Sequence, residues 1–138
     1  MKQRSSAITL IYNERADIAL QLRAEHDDSY PSHWDFSAGG GINEGEDPHA
    51  AATRELQEEL GITCGIEYIG KEVYMDEYCV DQLYMYRTTY SGPFKLNNNE
   101  VADLVFFSPQ KIQEMIDANE KFHPELRTLW KQGLIPLH

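Results

Sequence analysis

The sequence predicts an α/β fold in which a mixed sheet packs between helices. Two observations indicate this class: segments rich in strand formers alternate with segments rich in helix formers, and no repeat, low-complexity tract or long linker separates them. The chain has 138 residues, of which 41% are hydrophobic, enough for one domain with a real core and too few for two. We therefore expect a single domain over residues 1–138.

Apart from the first helix, which is described in the next paragraph, the predicted elements follow in order along the chain. Polar or glycine-rich segments bound them. The predicted strands cover residues 6–12, 18–22, 65–78, 82–90 and 101–108. The predicted loops cover residues 25–32 and 91–99, and the two later helices residues 109–118 and 124–132. Between the first loop and the first helix, Trp34 to Phe36 lead into a predicted turn of three glycines at residues 39–41.

The first helix has the clearest boundaries. Asp47 is a favourable N-cap, and Pro48 suits the first helical position, where its missing N–H would have no partner. Gly61 is a natural stop, and the residues between are rich in helix formers. The apolar stripe that would pack on the sheet comprises Ala52, Leu56 and Leu60. The sequence therefore predicts a helix over residues 48–60.

Three carboxylates share one side of this helix. At about 100° per residue, Glu55 and Glu59 lie one turn apart with Glu58 on the other side of Glu55. Like charges at these spacings weaken an isolated helix by about 0.2–0.5 kcal/mol per pair, a conflict that a bound cation would remove. Carboxylates without nearby His or Cys favour Mg²⁺, Mn²⁺ or Ca²⁺ over zinc, and Mg²⁺ fits best because it shares its shell with substrate phosphates. The alternative is a solvated acidic helix face.

The residues around the carboxylates have two interpretations each. Arg54 is either an ordinary surface arginine or a guanidinium that clamps Glu55 or a neighbour and fixes its rotamer. Glu46 either is a charge partner of the N-terminal turn or takes a direct part in the chemistry. The three glycines form a plain tight turn or let the backbone approach a ligand closely, and the second is more economical because they precede the acidic helix.

The composition and net charge of the chain limit the classes of partner that it can bind. A formal net charge of −11 argues against nucleic-acid polymers and acidic membranes as partners. It allows small phosphorylated molecules, because metal ions can invert the local field. No apolar stretch is long enough to cross a membrane, and the N-terminus lacks a signal-peptide core. Cys64 and Cys79 are too few for a disulfide framework, so we expect a reduced, cytoplasmic protein.

The spacing of residues 40–62 matches a known pattern. The segment GGINEGEDPHAAATRELQEELGI has a glycine, five residues, a glutamate, seven residues, and then Arg-Glu-Leu-Gln-Glu-Glu-Leu-Gly-Ile. It resembles the box of the Nudix hydrolases with every defined position filled, and a looser likeness runs from about residue 5 to residue 118. The resemblance implies an α/β/α sandwich, Mg²⁺ or Mn²⁺ as cofactor, and hydrolysis of a nucleoside diphosphate linked to another group.

Carried over by position, the resemblance implies roles for the helix residues. Glu55 and Glu59 resemble direct metal ligands, and Glu58 resembles a second ligand or one acting through water. Arg54 looks like the residue that orients a box glutamate. The Gly39 carbonyl would complete the coordination shell.

The resemblance also implies roles outside the helix. Glu100, in NNNEVADLVFF, resembles the later loop glutamate that binds metal or activates water, with an exposed loop acid as the alternative. Arg23 stands where family members contact substrate, although a surface arginine is equally compatible, and Gly40 would let the backbone approach the substrate. Three strand tyrosines are either pocket or core residues: Tyr74, Tyr84 and Tyr86.

One departure from the family pattern points to a branch. Many nucleotide-cleaving members have Trp-Glu-Phe-Pro-Gly-Gly before the box, whereas this chain has WDFSAGG at residues 34–40. That segment, with YPSHWDF and FHPEL, resembles the branch containing isopentenyl-diphosphate isomerase. Gly39 and Gly41 stand where that isomerase has a cysteine and a histidine, and glycine cannot move a proton. We therefore expect isomerase-like architecture with hydrolase chemistry.

The hypothesis from the sequence is hydrolysis of a phosphoanhydride in a small diphosphate by a metal-activated water. Glu55, Glu58 and Glu100 all stay candidates for the proton acceptor. Two other functions stay open: an isomerase of prenyl diphosphates, and a non-catalytic diphosphate-binding module. The second is disfavoured because a binder would not need all three helix carboxylates. A homodimer also stays open as the assembly.

Overall fold

The computed structural model describes residues 1–138. Its elements are β1 Lys2–Tyr12, β2 Ile18–Arg23, β3 Trp34–Asp35, β4 Ala38–Gly41, α1 Pro48–Leu60, β5 Glu67–Met75, β6 Cys79–Thr89, β7 Val101–Phe107, α2 Pro109–Asp117 and α3 Pro124–Lys131.

The seven strands form one mixed sheet. Its main path runs β3-β2-β1-β6-β5, with β4 paired to β1 and β7 paired to β2. β1 and β6 are parallel from Lys2↔Cys79 to Tyr12↔Thr89, and every other pair is antiparallel. The mixed sheet predicted from the sequence is therefore confirmed.

β1 and β2 pair at a single point, Tyr12↔Ile18. Toward Arg4 and Arg23 the two strands take different neighbours, because β4 pairs with β1 and β3 pairs with β2. The sheet therefore opens between β1 and β2, and this opening positions the candidate site.

Helices cover both faces of the sheet. Side chains of β1 alternate between the faces, so Leu10 and Tyr12 pack in one core cluster and Ile11 packs in another. The first cluster takes its helix residues from α2 and α3: Ile112, Met115, Ile116, Leu126 and Leu129. The second takes Leu56 and Leu60 from α1. This arrangement is the expected α/β/α sandwich.

The helix boundaries agree with the prediction to within one residue. Each helix begins at a proline that follows a capping residue, namely Asp47, Ser108 and His123. The strand ends agree less well. β1 begins at Lys2 rather than at residue 6, because its polar first residues pair with β6 although they carry no apolar alternation.

The glycine segment is a strand, and the predicted turn at residues 39–41 is wrong. Ala38–Gly41 forms β4, with Gly39 opposite Ile8 of β1. Glycine usually weakens strands, but here β1 passes very close. A Cβ at Gly39 would lie 2.8 Å from Ile8 Cγ2 and 2.9 Å from the Ala7 carbonyl oxygen. The missing side chain therefore permits the pairing.

The structure gives two facts that relate to the composition, one about helix length and one about the cysteines. No helix is long and apolar enough to span a bilayer. Cys64 and Cys79 are both free and half-buried.

Candidate active site

Helix α1 carries the acidic residues and is fixed at both ends. Asp47 Oδ1 accepts the Ala50 N–H at 2.8 Å, and Pro48 occupies the first turn. Gly61 adopts the left-handed conformation with φ 66°, and its N–H donates to the Gln57 carbonyl at 3.1 Å. Both caps were predicted, and they fix which face of α1 meets β4.

Glu59 is buried beneath β4, with 8% of its surface exposed. Its Oε1 accepts the Gly39 N–H at 2.9 Å and the Gln21 side-chain amide at 3.3 Å. Burial raises the pKa of Glu59 well above its usual range, the Gly39 hydrogen bond opposes this, and the nearby Glu55 charge adds to it. A carboxylate in this state is strongly stabilised by any cation that joins it.

Glu55 lies against the backbone of β4 and is 9% exposed. A Cβ at Gly40 would lie 2.6 Å from Glu55 Oε1, so a glycine is needed to leave room for the carboxylate. Burial raises the pKa of Glu55, Arg54 lowers it, and the charges of Glu58 and Glu100 raise it again. Those two glutamates are therefore within electrostatic range of Glu55.

Arg54 binds the carboxylates along the helix. Its Nε and Nη2 donate to the two oxygens of Glu46 at 2.8 and 3.0 Å. Its Nη1 donates to Glu55 at 2.8 Å and to Glu58 at 3.3 Å, and Nη2 also donates to the Gly41 carbonyl at 3.0 Å. The hydrogen bonds from Arg54 lower the pKa of Glu46 to about 2. Arg54 is thus a clamp, and Glu46 is its partner.

Glu58 and Glu100 remain open to solvent. The Glu58 side chain is 50% exposed and is held by the single contact with Arg54. Glu100 is exposed in the turn before β7, where its backbone carbonyl accepts the Ala24 N–H at 3.1 Å. Of the acids singled out in the sequence, these two are free to reach an incoming molecule.

The hydrogen-bond register directs the Gly39 carbonyl toward α1. Residue pairs in an antiparallel ladder alternate between hydrogen-bonded and non-bonded. The Ile42 N–H donates to the Ser5 carbonyl at 3.0 Å, so the pairs containing Gly41 and Gly39 are non-bonded and their backbone groups point away from β1. The Gly39 N–H and the Gly41 carbonyl both bond residues of α1, and the Gly39 carbonyl points to that same side.

A polar cavity of about 230 Å³ adjoins these residues. It lies where β1 and β2 separate, and its wall includes Gly39, Gly40 and Glu59. Arg23, the residue expected from the sequence to contact substrate, also lines it, and that role stays a prediction. The Arg23 guanidinium is already paired, with Asp35 at 2.9 Å and with Asp27 at 3.2 Å.

Several cavity residues, and one acid buried next to the cavity residue Ser6, were not found from the sequence. Asp81 of β6 is fully buried, and both its oxygens accept hydrogen bonds from Ser6 Oγ at 3.0 Å. Glu125, at the start of α3, lines the cavity, as do His123 and Gln21. The sequence contains one signal for these residues. Asp81 is an acidic residue immediately before the alternating apolar residues of the strand predicted at 82–90.

The strand tyrosines are core residues. Tyr74 belongs to the largest core cluster, and Tyr86 belongs to a smaller one with Tyr84 packed against it. None of the three lines the cavity.

The donor set suits a hard cation that brings further ligands with it. No group of three His, Cys, Asp or Glu side chains is placed to hold a metal ion on its own. Arg54 engages Glu55 and Glu58, and Glu59 is anchored under Gly39. Mg²⁺ commonly binds through one or two carboxylates and completes its shell with water and phosphate oxygens. Two buried carboxylates with raised pKa values, next to a backbone carbonyl, fit such an ion.

The same architecture occurs in known proteins. A family model described as the NUDIX domain matches residues 1–128. A Nudix hydrolase of Listeria innocua is 30% identical over 112 residues, covering 80% of this chain and 66% of the relative, so the chain spans just under two thirds of that relative. The Nudix hydrolase YfcD of Escherichia coli is 29% identical over 123 residues, covering 88% of this chain and 68% of the relative. The solved MutT protein of Methanosarcina mazei has a TM-score of 0.81 at 24% identity, covering 95% of this chain and 92% of that one.

Proposed function

Because the chain belongs to the NUDIX domain family, we propose that it hydrolyses a phosphoanhydride bond in a small diphosphate substrate, with Mg²⁺ or Mn²⁺ as cofactor. The substrate class that the family implies is a nucleoside diphosphate linked to another group, or a related diphosphate. The net charge of −11 supports a small molecule over a nucleic-acid polymer as the partner.

One observation carries the proposal: two buried glutamates on one helix, Glu55 and Glu59, lie against glycine backbone, and Arg54 fixes Glu55. Glu55 and Glu59 are 9% and 8% exposed, and burial raises the pKa of each. Burying two adjacent carboxylates costs stability unless a cation compensates them. This placement supports a metal-binding role better than a solvated acidic face does.

Each group in the site has a task under this proposal. Glu55 and Glu59, with the Gly39 carbonyl, would hold the cation, and Arg54 keeps Glu55 in one rotamer. When bound, the cation supplies a lowered pKa for a bound water and neutralises charge on phosphoryl oxygens. The missing side chain of Gly40 leaves room for the Glu55 carboxylate against β4, and the Gly40 backbone in the cavity wall is the part that would contact the substrate.

The proton acceptor is best sought among the exposed acids. Glu55 is engaged by Arg54 at 2.8 Å, which leaves it poorly suited to take a proton during each turnover. Glu58 is half exposed and has only the longer 3.3 Å contact with Arg54, and Glu100 is exposed, so both are better placed to contact a water and the substrate. We expect one of these two to be the general base.

Isomerisation of a prenyl diphosphate is a second proposal, which the sequence favours less than hydrolysis. WDFSAGG and FHPEL support the isomerase-like branch, but Gly39 and Gly41 offer no proton donor, and neither cysteine lines the cavity. Incubation with isopentenyl diphosphate and analysis of the product distinguishes isomerisation from hydrolysis. A binding module without catalysis would need no free acid such as Glu58.

Substitution of the helix acids tests the function directly. We expect Glu58→Gln and Glu59→Gln to lower phosphate release from diphosphate substrates by about 100-fold or more, with the protein still folded. Glu114→Gln, an exposed position on α2, is the matched control and keeps full activity. Full activity in either helix variant contradicts the assignment of α1.

Location and assembly are separate predictions. Two free cysteines support a reducing compartment, and we propose a cytoplasmic enzyme. A homodimer is tested by sedimentation at micromolar concentrations, where a single species of 15.9 kDa would contradict it.

A further inference from the structure

We propose that the polar cavity between β1 and β2 binds a small hydroxyl-rich group, a sugar or polyol, that carries the diphosphate of the substrate. The inference rests on the hydrolysis proposed above and names the substrate class of that site. Gly39, Gly40 and Glu59 belong both to the cavity wall and to the acidic site. A diphosphate held at α1 would therefore direct its organic group into the cavity.

The size of the cavity limits what can enter. Its volume of about 230 Å³ is below the roughly 300–1,000 Å³ of pockets that enclose drug-sized ligands. A single sugar ring or a short polyol matches this space better than a whole nucleoside does.

The wall is predominantly polar. Of the 14 lining residues only Ile8, Phe36 and Ala38 are hydrophobic. A prenyl chain would remove water from the remaining polar groups without offering hydrogen bonds in return, at about 1–3 kcal/mol for each group left unpaired. The cavity therefore selects against isoprenoid groups.

The aromatic residues of the wall offer little for a nucleobase. Phe36 is 3% exposed and belongs to the main core cluster. The His123 ring packs edge-on against Tyr30, with centroids 4.7 Å apart, and its Nδ1 accepts the Glu125 N–H at 3.2 Å. Base recognition usually relies on an open ring face for stacking, and neither ring is free for that role.

The positive charge of Arg23 in the cavity wall is already balanced by nearby carboxylates. This disfavours any anionic group on the substrate besides the diphosphate. Arg23 is compensated by Asp35 and Asp27, and three of its five N–H groups are used, the third by the Ser29 carbonyl at 3.0 Å. Its remaining N–H groups can donate to neutral oxygens. A hydroxyl group, which both donates and accepts, suits a wall that mixes such donors with carboxylates.

Glu125 is the wall residue that most favours hydroxyls, and the fully buried Asp81 lies close to it. Burial, followed by the adjacent Asp81, raises the pKa of Glu125 to about 9. Glu125 is therefore protonated at neutral pH, its O–H can donate to the Asp81 carboxylate, and its carbonyl oxygen can accept from a ligand hydroxyl. Ser6 Oγ, itself in the cavity wall, hydrogen-bonds both oxygens of Asp81, so Asp81 is fixed beside Glu125 before any ligand arrives.

Three matched diphosphates test the inference: ribose 5-diphosphate, ADP and isopentenyl diphosphate. ADP differs from the first by its base, and the third replaces the sugar by an apolar chain. Calorimetry with Mg²⁺ on the Glu58→Gln protein, which slows turnover, measures binding, while phosphate release by the wild-type protein measures hydrolysis. We expect ribose 5-diphosphate to bind about 10-fold more tightly than ADP and about 100-fold more tightly than isopentenyl diphosphate.

The two readouts separate the inference from the proposed function. Binding in the expected order without phosphate release supports the cavity assignment and contradicts hydrolysis. Hydrolysis with equal or inverted binding preference overturns the cavity assignment and leaves hydrolysis standing. Failure of all three compounds to bind also overturns the cavity assignment.

Variants of Glu125 connect the preference to the wall. Glu125→Leu is expected to weaken ribose 5-diphosphate binding by about 10-fold while changing isopentenyl diphosphate binding by less than about 2-fold. Glu125→Gln keeps a donor and an acceptor and is expected to restore the preference, which a merely structural role for Glu125 would not predict. If Glu125→Leu does not fold, an unchanged preference in Arg4→Met, which alters the cavity mouth, overturns the assignment.

Discussion

Arg54 makes five hydrogen bonds to Glu46, Glu55, Glu58 and Gly41, all between 2.8 and 3.3 Å. A planar guanidinium can serve these partners at once because its donors form a fixed fork. Lysine has a single charged nitrogen and reaches only part of the set. The rotamer of Glu55 therefore depends on arginine at this position.

Arg54→Lys should lower kcat/KM for diphosphate hydrolysis by about 10–100-fold, the usual effect of removing a group that orients a metal ligand. Arg15→Lys is the control, because the Arg15 side chain is 84% exposed and lies 3.6 Å from Asp17. Steady-state kinetics with Mg²⁺ measure both variants. Equal kcat/KM values would contradict an orienting role.

The variant Gly40→Ala tests whether the close approach of β4 to α1 matters. An alanine Cβ would lie 2.6 Å from Glu55 Oε1, so the carboxylate must move and metal affinity is expected to fall by about 10–100-fold. Gly41→Ala is a matched control, because a Cβ there meets nothing within 4 Å. Similar Mn²⁺ affinities in the two variants would show that the Glu55 position is unimportant.

At the scale of elements, local signals predicted α1 but not β4. Asp47, Pro48 and Gly61 determine the ends of α1 within the helix itself, so the sequence contains the necessary information. The strand character of the glycines depends on β1, whose Ile8 and Ala7 leave no space for a side chain at Gly39. A contact between residues so distant in sequence has no local signature.

Packing of α3 against β6 predicts a pH dependence of stability. Glu125 has a folded-state pKa raised from 4.5 to about 9, so the folded protein holds a proton that the unfolded chain releases above pH 4.5. The stabilisation is complete below that pH and is lost as the pH rises toward 9. The free energy of unfolding should therefore fall across this window.

Glu125→Gln keeps the hydrogen-bonding donor but cannot titrate. Between pH 6 and 8 the free energy of unfolding of this variant should fall less steeply with pH than that of the wild type, the two slopes differing by up to about 1.4 kcal/mol per pH unit. Urea denaturation at three pH values measures the slopes, with Glu114→Gln as the control. Parallel curves for wild type and Glu125→Gln would contradict a proton held at this carboxyl.

At the scale of the whole molecule, the sequence predicted the site in part. The box at residues 40–62 identified the acids of α1, because all lie on one helix whose period is regular. The cavity depends on the separation of β1 from β2 and on Ser6 meeting Asp81, 75 residues away. Those features arise from strand pairing, which the composition of each strand does not specify.

The account depends on the buried acids of α1 binding a divalent cation together with a diphosphate. Calorimetric titration of Mn²⁺ into the protein, with methylenediphosphonate present, tests this most directly. We predict saturable uptake by the wild-type protein, affinity at least about 10-fold weaker in Glu59→Gln, and no change in Glu114→Gln. Absence of uptake by the wild type, or equal affinity in all three proteins, would contradict the account.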